Sequence, residues 1–412
     1  MDTPSHLLKP LTLPCGVTVS NRLLKSAMSE GFAHKDHAPN ALHEQLYQTF
    51  AEGGTGIVIT GNVMIDSTAL GEPGNVVIED DRHMTALKRW AKAGQTKESA
   101  LWVQLNHPGK QAPRFITNDP VAPSAIPLEG TMKRAFKTPR ALTDEEIKAL
   151  VKRFATSAKI VKDAGFSGVQ IHAAHGYLMS QFLSPKHNQR EAPYGGDLKN
   201  RMRFLIEVYE AMREAVGDTF PIGVKMNIDD FIDGGFSKED ANVVMRVLSE
   251  RGIDLIELSG GSYETPVMMG QSNKEGFFLG SLTAMDQTIL APRVITGGFR
   301  SKAVMESVIE KSSAEMIGLA RPLVINPDLV NHIQVGSFES MSLPRIRFGV
   351  KRLDRKLGPI VGLSAYELAM KRLAKGKTVK ISTCGWRVLG HVLIAQGVKA
   401  FIRRRPAKHP TR

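Results

Sequence analysis

The sequence predicts an α/β fold: a (β/α)8 TIM barrel with a basic, largely helical C-terminal extension. Three observations carry this. Eight short apolar runs alternate with stretches of mostly helical periodicity between residues 22 and 321. Several runs alternate apolar and polar residues, so each shows one polar face. The charge also divides the chain sharply. Residues 345–412 hold 18 Lys+Arg and two acids, net +16, whereas residues 1–344 sum to −3. The predicted domains are therefore a barrel over 1–344 and an extension over 345–412.

The eight runs are RLLKSAM (22–28), GIVITGNVM (56–64), ALWVQLNH (100–107), GVQIHAA (168–174), IGVKMNI (222–228), LIELSGG (255–261), RVITGG (293–298) and MIGLAR (316–321). The clearest intervening helix follows ALTDEEIKAL. Thr143 and Glu146 fit a capping box, and Ile147, Leu150, Val151, Phe154, Ala158 and Val161 make one apolar stripe. The joins DAGFSGVQIH and ERGIDLIELS stop a helix at glycine before a strand. Eight such units match a (β/α)8 barrel. The alternative is an open doubly wound sheet, but no GxGxxG follows the first strand.

Composition narrows the classes. With 412 residues, 42% of them hydrophobic, the chain can bury a large core. Two cysteines, Cys15 and Cys384, argue against a disulfide scaffold, a four-cysteine zinc site or an iron–sulfur cluster. The start MDTPSHLLKPLTLP lacks the pattern of a cleavable signal peptide, so a cytoplasmic setting is expected. A near-neutral barrel argues against a specific nucleic-acid binder. A homo-oligomer is left open.

The polar faces carry the chemistry. Gln104 and Asn106 share one side of their strand, as do Gln170 and His172, Lys225 and Asn227, and Glu257 and Ser259. Barrel interiors are usually apolar, and each unpaired buried polar group costs roughly 1–3 kcal/mol. Two readings follow: a self-satisfied core with Lys225 paired to Glu257, or contacts to a large polar ligand at the C-terminal mouth. Gly297 and Gly298 end the seventh run and Arg321 ends the eighth, where barrels often bind phosphate. Together these suggest a phosphorylated cofactor. His172 and His175 could be metal ligands, structural residues or hydrogen-bond donors; the HxxH spacing, with no neighbouring acidic or cysteine cluster, is poor for zinc. Tyr177 could act as an acid or simply pack. His107 and His187 are expected in loops or at the surface, and PVMMG (266–270) as pocket lining or core.

The motifs LTLPCGVTVSNRLLKSAMS, VQLNHPGK, GVQIHAAHGYLMSQFLSPKHNQR, YGGDLKNRMRF, GVKMN and ITGGFRS resemble the Old Yellow Enzyme group, the NADH:flavin oxidoreductases. The resemblance runs from about Leu7 to Val335. It implies a barrel with tightly, non-covalently bound FMN, reduced by NADH or NADPH, that passes hydride to a small-molecule electron acceptor. By the same resemblance, Ala27, Met28 and Ser29 run along the flavin, Gly61 lies beside the ring and Gln104 meets its pyrimidine edge. Lys225 faces the flavin N1/O2 side. Gly297, Gly298, Ala320 and Arg321 hold the phosphate. His172 and His175 hold the acceptor oxygen and Tyr177 donates the proton. The implied activity is that of an ene reductase acting on an α,β-unsaturated carbonyl or nitro compound.

Three positions depart from the family pattern: Lys225 for Arg, Ala320 for Gly, and Ala192, followed by Pro193, for Asp. Two long loops, 108–142 and 176–200, are expected to set acceptor specificity. The tail lies outside the resemblance. SAYELAMKRLAKGK is expected as a closing amphipathic helix. CGWRVLGHVLIAQGVKAFIRRRP is too interrupted by polar residues to span a membrane. It fits either a helix packed on the barrel or a contact with an anionic membrane surface or a protein. The alternative function is an FMN-binding barrel with little ene-reductase activity whose tail serves as that anchor.

Overall fold

The computed structural model describes residues 5–130, 133–265, 275–282, 286, 288–311 and 314–396. The eight runs form β1 (Leu23–Lys25), β2 (Ile57–Met64), β3 (Ala100–Asn106), β4 (Gly168–Ala173), β5 (Ile222–Asn227), β6 (Leu255–Ser259), β7 (Arg293–Thr296) and β8 (Met316–Leu319). They pair in parallel and close into a barrel in the order β6-β7-β8-β1-β2-β3-β4-β5. Outside it lie α1 (Ala41–Glu52), α2 (Met84–Ala93), α3 (Asp144–Asp163), α4 (Arg203–Val216), α5 (Lys238–Glu250) and α6 (Lys302–Glu310). Between β6 and β7 the helix among the described residues is a single turn, Leu279–Leu282. The Met-rich 266–270 segment lies outside the described residues.

α3 shows why the helices form. Thr143 Oγ1 accepts from the Glu146 amide at 3.2 Å, and Glu146 Oε2 accepts from the Thr143 amide at 2.8 Å. Ile147, Leu150, Phe154, Ala158 and Val161 are buried against the sheet. Inside the barrel, the lower layer is apolar. Leu24, Ile57, Ile59, Trp102, Leu255, Val294 and Met316 fill it, and Leu13 and Val19 of the N-terminal hairpin plug it. Trp102 dictates glycine on the two following strands. A Cβ on Gly168 would sit 2.6 Å from the indole, and one on Gly223 3.0 Å from it.

The described residues of the extension hold two helices, α8 (Lys351–Leu373) and α9 (Gly385–Gln396), after a short α7 (Arg321–Ile325) that follows β8. α8 begins earlier than SAYELAMKRLAKGK suggested. Its Tyr366, Ala369 and Met370 join the main core, so the helix packs on the barrel. Its other side, with Val361 and Ala365, forms a small second core with Ile346, Phe348 and Val388 of α9. Residues 397–412, including the arginines at 403–405, lie outside the described residues. Among the described residues, no helix is long and apolar enough to cross a membrane.

His107 and His187 sit in loops, one of the two places expected, and both are buried. His107 accepts the Gly109 amide at Nδ1 (3.1 Å), and the buried His43 accepts the Asn40 amide at Nδ1 (3.1 Å). Burial pushes their pKa values down to about 4 and about 3. The unfolded chain takes protons near pH 6.5 that the folded chain refuses. Their contribution to stability is therefore complete above that pH and is lost as pH falls from 6.5 towards 4. Urea midpoints should drop steeply across this window. His107→Asn, whose amide oxygen can accept the same backbone bond, should flatten the slope.

Candidate active site

The strand C-termini open into one cavity. It is lined from β1 by Ser26, Ala27, Met28 and Ser29, from β2 by Asn62, and from β3 by Gln104. His172, His175 and Tyr177 enter from β4 and its loop, Lys225 from β5, Ser259 and Tyr263 from β6, and Thr296 from β7. Ala320 and Arg321 complete the barrel side. Ten of the sequence-predicted residues are thus brought together. Gly61, Gly297 and Gly298 do not line this cavity. Gly61 does not end its strand but sits within β2 at a register shift, with its amide bonded to Glu30 Oε1 and Tyr47 Oη, each at 2.8 Å. Asn62, the next residue, takes its place.

Below the cavity runs a buried polar chain. Gln104 Nε2 donates to Gln170 Oε1 (2.7 Å), and Gln170 Nε2 donates to Glu257 Oε2 (2.9 Å). Glu257 Oε1 accepts from Lys225 Nζ (3.0 Å) and Thr296 Oγ1 (2.8 Å). Burial alone would raise the Glu257 carboxyl. The Lys225 charge and hydrogen bonds from Gln170, Ser26 and Lys225 outweigh it, so it lies below the usual carboxylate range. The self-satisfied reading of the polar interior therefore holds for this layer. The layer satisfies itself, and Lys225 and Gln104 also face the cavity.

The two histidines are neutral donors. Burial, then the Lys225 charge, holds both imidazoles well below their ordinary pKa. His172 Nδ1 accepts the Ala174 amide at 3.3 Å, which leaves the proton on Nε2. His175 Nε2 lies 2.7 Å from Ser259 Oγ. Its backbone is held at φ 60° by bonds from its amide to Asn227 Oδ1 (3.1 Å) and from Gln111 Nε2 to its carbonyl (3.0 Å). The rings pack edge to face at 5.1 Å, and the Tyr177 ring meets His172 at 4.8 Å. Tyr177 Oη lies 3.1 Å from Tyr263 Oη. Burial, then Tyr263, pushes the Tyr177 hydroxyl well above its usual pKa, so it keeps its proton.

The two long loops are stapled from below the surface. Lys110 Nζ lies 3.0 Å from His187 Nδ1 and 3.3 Å from Glu264 Oε1, and His187 Nε2 lies 3.3 Å from Glu264 Oε2. Glu264 follows Tyr263, so this knot fixes the tyrosine pair. Arg190 bridges the Pro123 carbonyl (3.1 Å), the Leu142 carbonyl (2.5 Å) and Asp144 (2.6 Å), so the Ala192 departure leaves its brace intact. Ala320 has φ −112°, so its backbone does not demand glycine.

Sequence reasoning missed Ser26, Asn62, Glu72, Tyr263, Thr296 and the α8 residues that line the cavity. Ser26 and Thr296 share the inward face of the strand pattern and could have been found. Tyr263, Glu72 and α8 come from loops and from the extension, where no periodicity points inward.

The residues present suit a flavin mononucleotide. Among the described residues, Ala27 and Met28 form no backbone hydrogen bond, which leaves their polar groups for a ring. Gln104 spends its amide N–H on Gln170 and keeps Oε1 as an acceptor. Half-buried Arg321, with Arg300 near it, makes a cationic end; burial and then Arg300 lower its pKa against a Tyr366 contribution. A closed barrel with this donor set defines a flavin-dependent oxidoreductase. Residues 6–339 match the NADH:flavin oxidoreductase / NADH oxidase family, and the chain belongs to it. It is an NAD(P)H-dependent enzyme with FMN as cofactor. The NADH-dependent flavin oxidoreductase iccE of Talaromyces variabilis is 37% identical over 78% of this chain and 84% of its own. The NADH-dependent flavin oxidoreductase iliE of Hypocrea jecorina is 34% identical over 88% and 97%. Among solved structures, the Old Yellow Enzyme homologue of Zymomonas mobilis superposes with TM-score 0.71 at 25% identity, covering 82% of this chain and 95% of its own.

Removing one half of the buried pair should be costly. Glu257→Leu leaves Lys225 charged and uncompensated, at a cost of about 3–5 kcal/mol by urea unfolding. Lys225→Met in the same chain should recover most of that stability.

Proposed function

We propose that this enzyme is an ene reductase, acting on an α,β-unsaturated carbonyl or nitro compound. The observation that carries the reading is the grouping of neutral His172, neutral His175 and protonated Tyr177 in one cavity with Lys225. Bound FMN, once reduced by NAD(P)H, supplies the hydride.

The chain's own residues do the rest. Hydride arrival at the β-carbon leaves negative charge on the acceptor oxygen, and fixed N–H donors stabilise it. His172 can offer Nε2–H there because the Ala174 amide occupies Nδ1. His175 can offer Nδ1–H when the Ser259 hydroxyl donates to Nε2. With that donation, Ser259 sets the His175 tautomer. Tyr177 then gives its proton to the α-carbon as general acid. Tyr263, within hydrogen-bond distance of that hydroxyl, holds it in place. Lys225 would offer positive charge to the bound flavin, and its bond to Glu257 keeps that charge fixed at one point. Arg321 and Ala320 would hold the phosphate.

Stopped-flow kinetics test this in two halves. Tyr177→Phe should leave reduction by NAD(P)H within about threefold of wild type. Reoxidation by an enone should slow by roughly 10²-fold or more. Ser259→Ala should slow reoxidation by roughly tenfold, equivalent to about 1.4 kcal/mol. Unchanged reoxidation in both variants would remove the assigned roles.

A further inference from the structure

The cavity has a wall that the family match does not supply. Matched residues end at 339, yet Leu363, Tyr366, Glu367 and Met370 of α8 line the cavity together with Ile346. The helix is anchored for this position. Ala369, Met370 and Tyr366 are buried in the main core, and Val361 and Ala365 are buried under α9. One helix serves both ends of the cavity. Tyr366 interacts with Arg321 at the cationic end, while Glu367 lies within electrostatic reach of Tyr177 and Tyr263 at the other.

We propose that α8 is the outer wall of the active site and that Glu367 and Tyr366 are specificity-determining residues for the acceptor. This rests on the ene-reductase reading of the same cavity and deepens it. The chemical class follows from the charges that α8 brings. Glu367 lines the cavity with Glu72, from the loop after β2. Burial, then Glu72 and Glu30, pushes the Glu367 carboxyl well above its ordinary pKa, and Glu72 is raised to about 7. An ammonium group on the acceptor favours the ionised form of each acid and gains that attraction, whereas a carboxylate gains none. Tyr263 and Tyr366 add aromatic faces, which also favour a cation. The preferred acceptor is an unsaturated carbonyl compound with a neutral or ammonium-bearing body; a carboxylate-bearing one is disfavoured.

The test uses the full-length FMN holoenzyme and one cyclic enone scaffold carrying a trimethylammonium, a tert-butyl or a carboxylate group. Calorimetry gives Kd for the oxidised enzyme, and turnover is measured separately. The ammonium compound should bind at least tenfold tighter than the carboxylate. Glu367→Gln should shrink that ratio at least threefold. Lys371→Gln, exposed on the same helix, should leave it unchanged. Equal binding of the two charged compounds, or the same ratio in Glu367→Gln as in wild type, would overturn the proposal. So would a ratio that shifts equally in Lys371→Gln, because that marks a general field of the tail. A charge ranking without turnover keeps the wall and removes the ene-reductase reading. Turnover without a ranking does the reverse.

Discussion

The interaction on which the rest depends is the buried pair of Lys225 and Glu257. Two charges inside a barrel are tolerable only when each is compensated and the remaining lone pairs are satisfied. Glu257 meets that demand through Lys225, Gln170 and Thr296, which come from three neighbouring strands. Because strand residues alternate, this one requirement sets the register of the middle layer across β3 to β7. Apolar packing around Trp102 is then confined below it, and the ligand-facing groups stand above it.

The same pair creates the electrostatic setting of the cavity. Lys225 carries positive charge upward towards two imidazoles that are already desolvated. Both effects disfavour imidazolium, so His172 and His175 stay neutral and each keeps one N–H and one acceptor nitrogen. Neutrality makes the tautomer the controlling variable: a backbone amide decides it for His172, and for His175 it turns on whether the Ser259 hydroxyl donates or accepts. A charged pair would donate from every nitrogen and need no such partners. The Ala174 amide and Ser259 are therefore part of how the site works.

The barrel was legible because β-strand alternation and helix periodicity are local, and all eight runs became strands. The polar faces were legible for the same reason: Gln104, Lys225 and Glu257 sit where period two puts them. Gly61 was misjudged because a register shift within β2 moves the inward position to Asn62. No local pattern announces that shift. The burial of His107 and His187 was not legible because a histidine in a loop has no periodicity to reveal it. Their burial is decided by distant partners such as Glu264. Tyr263 is of the same kind; its role is set by a hydroxyl that belongs to the β4 loop.

The tail shows how a global property can hide a local one. A net charge of +16 over 68 residues draws attention to the surface, and a charged segment normally suggests solvent, a membrane or a partner. Yet charge sits at the ends of long side chains and does not forbid apolar faces between them. α8 has two such faces, one towards the barrel through Tyr366 and Met370 and one towards α9 through Val361 and Ala365. A helix buried from two sides lacks a single clean stripe, so its amphipathicity is blurred while its packing is firm. Lys351, Arg352 and Lys371 remain exposed around those contacts. The basic composition of α8 is thus compatible with a structural place against the cavity, and Glu367, one of only two acids in the extension, is the residue that stands out there. This acid of a strongly basic segment lines the cavity together with Glu72, so it is placed to act on what enters there.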